Sequence, residues 1–225
     1  GSLAGTDTAV VGIALDTADT TALNITGSST ASDTLSTGNI TTSNALASAS
    51  AASSVTGSTV TVGTIADADA LTSITLTAGQ ADADFGQIGT NATANNAELL
   101  TNVTVSSAGT GVTATMGAIF ADSTVDSASD LAMNVTATSG SGATTAMGAI
   151  DNTYGSITGT YATSGTTTQA ALTAASMTLS KSGAGNATFD ALTSSGAVSL
   201  TASGSGNVTV TDANGCLVVD STNLN

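Results

Sequence analysis

The sequence predicts an all-β chain folded as an irregular parallel β-solenoid, built from units of about 20–30 residues. Three observations point there. Aliphatic and hydroxyl side chains alternate with a two-residue period in short runs along the chain. Glycines close most of these runs, and a Gly-x-Ile element recurs between Gly38 and Ile150. A β-sandwich or jelly roll is the alternative, because short strands joined by glycine turns suit those folds too. Scarce aromatics and the duplicated motif favour the solenoid, while uneven unit length argues against a strict one.

Taken in order, residues 1–58 follow the rhythm least. The Ala/Ser-rich stretch from Asn44 to Ser54 reads as a short helix or an irregular loop, since alanine has low strand propensity. The regular part opens with Thr59-Val60-Thr61-Val62 and continues through Ile74-Thr75-Leu76-Thr77 and Val103-Thr104-Val105-Ser106. Runs starting at Met133, Met177, Val198 and Val208 repeat the pattern. Alternation sends the aliphatic set to one face of each strand and the hydroxyls to the other, giving a buried side and a wet side. Gly79, Gly109, Gly140, Gly165, Gly183 and Gly204 follow these runs, and access to positive φ suits glycine to ending a strand and turning the chain. The second element appears at Gly38, Gly63, Gly86, Gly117 and Gly148, with successive spacings of 25, 23, 31 and 31 residues. Two copies are near duplicates, Thr115-Met116-Gly117-Ala118-Ile119 and Ala146-Met147-Gly148-Ala149-Ile150.

One unit is thus a strand with Gly-x-Ile, a polar connection, a leucine, a second strand and a closing glycine. A lone unit cannot bury its apolar face, so stacked units share one ladder. The expected organisation is a single repeat-built domain over residues 1–225, irregular in 1–58 and repetitive in 59–225.

Composition narrows both the interior and the partners. Hydrophobic residues make up 40% of the chain but aromatics only 2%, which suits thin layers better than a wide core. The absence of Pro and the positive mean hydropathy set ordered β structure above disorder. A single basic residue, Lys181, stands against 16 acidic ones, for a formal net charge of −15. Nucleic acid and anionic membrane surfaces need Lys and Arg to neutralise phosphate, so both are excluded as partners. No run of about 20 apolar residues is present to span a bilayer. With no His and one Cys, the common base and nucleophile pairs cannot be assembled, and no enzyme is expected. A carboxylate-dependent glycosidase is the remote alternative, weakened by the lack of aromatic platforms.

Candidate sites follow from the acidic and hydroxyl residues. Asp67, Asp69, Asp82 and Asp84 form two Asp-x-Asp pairs, and Asp122, Asp126 and Asp130 sit four apart in one connection. Calcium takes six to eight oxygens from carboxylates, carbonyls and water, so these seven residues are its candidate ligands. The competing reading makes them turn residues that cap local amides. Asn24, Asn39, Asn91, Asn102, Asn134, Asn186 and Asn207 open Asn-x-Thr sequons, at a frequency this much threonine produces by chance. Thr-x-Thr pairs such as Thr59/Thr61, Thr75/Thr77, Thr113/Thr115, Thr136/Thr138 and Thr209/Thr211 would grid a flat solenoid face, as in ice-binding solenoids, although such grids ordinarily go with constant coil length. Cys216 precedes an apolar run and reads as a small buried hydrophobe.

The repeats, the Thr/Ala/Gly/Asn/Asp bias and the scarcity of His, Pro and Cys resemble the strand-rich repeat regions of large secreted bacterial surface-layer proteins and adhesins. The calcium nonapeptide Gly-Gly-x-Gly-x-Asp-x-apolar-x found in some of them is absent. The resemblance implies an extracellular or cell-surface location and a structural role in a layer, fibre or adhesin. The acidic surface adds divalent cations, calcium first, as bridges between self-associating copies. Ice binding or glycan binding by the solenoid is the alternative function.

Overall fold

The computed structural model describes residues 9–11, 21–27, 34–40, 45–66, 68–90, 97–121 and 132–221. It is a parallel β-solenoid of about 7 turns, with turns about 24 residues apart and no helix among the described residues, so the sandwich and jelly-roll alternative is set aside. The early coils hold β1 (Ala9–Val11), β2 (Ala22–Gly27), β3 (Thr34–Thr37), β4 (Ser48–Ser53), β5 (Thr59–Val62) and β6 (Ser73–Ala78). The middle coils hold β7 (Ala83–Phe85), β8 (Asn102–Ser107), β9 (Thr113–Met116), β10 (Ile119–Phe120), β11 (Met133–Ser139) and β12 (Thr144–Met147). Longer strands follow: β13 (Ile150–Thr163), β14 (Thr166–Gln169), β15 (Leu172–Ser182), β16 (Asn186–Ala202) and β17 (Val208–Ser221).

These strands make three sides. A broad side stacks β2, β4, β6, β8, β11 and the later parts of β13, β15 and β16. A narrower side stacks β1, β3, β5, β7, β9, β12, β14 and the start of β16. The third side is the Gly-x-Ile element: Ile40, Ile65, Ile88, Ile119 and Ile150 bridge in sequence, each above the last. Leu172 and Leu192 extend that stack. Every isoleucine in it is almost fully buried, so a polar side chain there would lose its hydration.

The glycine of the motif is needed for closeness, not for an unusual backbone. A Cβ on Gly63, Gly86, Gly117 or Gly148 would come within 2.6–2.8 Å of backbone atoms in the preceding copy. The closing glycines need a similar correction. Only Gly183 and Gly204 among those six have positive φ; Gly79, Gly109, Gly140 and Gly165 instead lie against carbonyl oxygens of the coil below. Close stacking of coils, rather than turning, selects most of these glycines.

The core is one aliphatic column along the axis, from Leu23 to Leu200. Ala49 and Ala51 sit in register between Leu23 and Ile25 on one side and Ile74 and Leu76 on the other. Within the Ala/Ser stretch, Ser48–Ser53 is therefore strand β4, where composition allowed a helix or loop, because its small side chains fit beneath large ones and packing outweighs intrinsic propensity; Asn44 lies outside the described residues. Gly159 shows the reverse compensation. The Tyr161 ring occupies the space a Cβ there would need, and it meets Phe189 edge-on with centroids 4.8 Å apart.

The uneven unit length falls at corners of the coil, between the sides. From Ile40 to Ile65, Ile65 to Ile88, and on to Ile119, the strands on both flanking sides keep their pairing without slippage. The two 31-residue units carry their extra residues between the isoleucine stack and the broad side.

Candidate functional site

Alternation aims hydroxyls outward, and in-register stacking turns them into rows. On the broad side the central outward row runs Thr75, Thr104, Thr136, Thr160, Ser180 and Thr201, one residue per coil. Flanking rows are Ser, Thr, Asn and Ala, and some members bond from coil to coil. Ser106 Oγ donates to Thr77 Oγ1 at 3.3 Å, and Ser50 Oγ donates to Asn24 Oδ1 at 2.6 Å. From β2 to the end of β16, no outward position of this side carries a charge. The Thr-x-Thr pairs divide between sides: Thr75/Thr77 and Thr136/Thr138 on the broad one, Thr59/Thr61 and Thr113/Thr115 on the narrow one.

The narrow side is interrupted by carboxylates. Asp84 lies within β7, in the outward row between Thr61 and Thr115, and Asp82 immediately precedes that strand. Asp84 is thus part of a strand face and not of a turn. Asp82 Oδ1 accepts the Thr113 amide at 2.7 Å, the capping role expected of an aspartate beside a turn. Partial burial raises the pKa of Asp84; its bond with Thr115 opposes the shift and the nearby Asp82 charge adds to it. Asp69 occupies the exposed turn between Ala68 and Leu71. Asp67, Asp122, Asp126 and Asp130 lie outside the described residues. Among the described residues, no three Asp, Glu, Cys or His side chains come together as a metal cluster.

Two interior features escaped the sequence reading. Some hydroxyls point inward at the corner joining the two faces. Ser107 Oγ and Thr145 Oγ1 lie 2.8 Å apart, Thr145 Oγ1 donates to the Thr138 carbonyl at 2.8 Å, and Thr167 Oγ1 donates to Ser139 Oγ at 3.2 Å. The second is Lys181, buried in the core column directly above Tyr161. Its ammonium donates to the carbonyls of Gly183 at 2.9 Å and Gly206 at 3.1 Å, joining two successive turns. Burial lowers its pKa from the ordinary lysine value. The signal was present: Met177, Leu179 and Lys181 share the inward phase of their strand.

The remaining candidates are placed without being gathered. Asn24, Asn39, Asn102, Asn134, Asn186 and Asn207 are exposed, and Asn91 lies outside the described residues. Cys216 belongs to β17, with its side chain outside the described residues. No family model, curated protein or solved structure matches the chain.

Proposed function

We propose that this chain is a structural module of an extracellular layer, fibre or adhesin, acting by self-association with calcium as the bridging cation. The observation that supports this reading is the parallel ladder, which continues through about 7 turns. Such a stack is a rod whose length follows the number of coils, and each coil contacts only its neighbours. Main-chain pairing of the same kind can add a strand from a second copy. With a net charge of −15, approach of two copies costs repulsion that divalent cations relieve. Carboxylates such as Asp82 and Asp84, set side by side on the narrow face, are where those cations would act.

Light scattering after size-exclusion chromatography tests the proposal. Mass is expected to grow with protein concentration in millimolar calcium and to return to monomer with chelator. Asp82→Asn with Asp84→Asn is expected to weaken the calcium response. A monomer at every calcium and protein concentration would overturn the reading.

A further inference from the structure

The broad face carries something a scaffold does not require. In a chain with 16 acidic residues and one basic one, a whole side is free of charge from β2 to the end of β16. Most described carboxylates lie elsewhere: Asp82 and Asp84 on the narrow face, Asp69 and Glu98 in turns, Asp151 beside the isoleucine stack, and Asp190 and Asp212 between the narrow side and that stack; Asp220 of β17 follows Thr201 in register, one strand beyond the neutral stretch.

The neutral face is also periodic in two directions. Rows repeat every strand spacing, roughly 4.8 Å, and every second residue along a strand, roughly 6.6 Å. Both repeats hold because length differences fall at the corners and the broad-side strands from β2 to β13 pair without slippage, which removes the objection that uneven coils spoil a grid. Threonine has few χ1 choices, so each hydroxyl and methyl is held in a narrow range of positions. Several serines are fixed further by bonds to the coil below, such as Ser180 Oγ to the Gly159 carbonyl at 3.4 Å.

A two-dimensional net of neutral hydroxyls and methyls matches a crystal surface better than a discrete molecule. Charged minerals would need ionised groups, which this face lacks. Crystalline polysaccharide would call for stacking aromatics, and the one strongly exposed aromatic among the described residues, Tyr154, sits at a break in strand register. Ice remains: its surface is neutral, and its oxygen rows repeat on the same length scale in both directions. We infer that the broad Thr/Ser/Asn face binds ice, with the row from Thr75 to Thr201 at its centre.

Thermal hysteresis and partition into growing ice test this on the intact chain. The protein is expected to show hysteresis and to enter the ice. Thr104→Tyr with Thr136→Tyr, adjacent in the central row, is expected to abolish both. Thr160→Tyr with Thr201→Tyr is expected to do the same. Thr113→Tyr with Thr144→Tyr, adjacent on the narrow face, is expected to leave both unchanged. Circular dichroism melts show that each variant is folded. Exclusion of the chain from ice, equal loss from both faces, or adsorption to microcrystalline cellulose without hysteresis would overturn the inference. None of these readouts depends on calcium or on assembly.

Discussion

At the scale of single residues, the interior is set by matched pairs of unlike size. Gly159 makes room for Tyr161, and Tyr161 supports the stem of Lys181, whose ammonium ties Gly183 to Gly206. Lys181→Ala removes the packed stem beyond Cβ and leaves two carbonyls without that donor. Denaturant unfolding is expected to show a loss of about 2–4 kcal/mol. The charge has its own signature. Because burial lowers the folded-state pKa, the unfolded chain takes up a proton that the folded chain resists as pH falls below about 10.5. Stability therefore rises with pH between the lowered value and the ordinary one, and Lys181→Met, which keeps the stem, is expected to flatten that rise. Alternation made the inward phase of Lys181 legible. Its role was not legible, because the two carbonyls it binds belong to turns that only the stacked fold brings together.

Among elements, Gly-x-Ile shows what a local pattern reveals and what it hides. The spacing of the motif disclosed the coil, and the buried isoleucine stack realises it. The reason for the glycine was hidden, since the atoms it must avoid lie one turn away, in another copy of the same motif. Gly117→Ala places a Cβ 2.6 Å from the Gly86 backbone, and overpacking of this kind is expected to cost about 1–3 kcal/mol. Gly38→Ala meets nothing within 4 Å among the described residues and is expected to change the unfolding midpoint little. Equal costs at the two positions would mean that glycine serves backbone freedom after all. Strand β4 was illegible for a related reason: Ala and Ser carry little strand signal alone, and their register with β2 and β6 supplies it.

For the whole molecule, unit length was readable but its consequence was not. Spacings of 31 residues look like irregularity in a list of motifs, yet the flanking strands stay paired without slippage. The near-duplicate motifs at Gly117 and Gly148 allow a direct check. Inserting a second copy of residues 119–149 is expected to give a folded rod about one strand spacing longer, about 4.8 Å. Small-angle scattering measures the length, and a single cooperative melt shows that the new coil joined the stack. The neutral broad face was legible only in part, as Thr-x-Thr pairs, because strand assignment to two different sides decides which pairs share a surface.

All strand pairings run in the same direction, so chain entry and chain exit sit at opposite ends of the stack. A pull on the two termini then loads the outermost coil first, and hydrogen bonds there open a few at a time while inner coils stay shielded. Each coil that lets go releases about 24 residues, roughly 80 Å of extended chain. Under tension the molecule would therefore lengthen in instalments of one coil at a time.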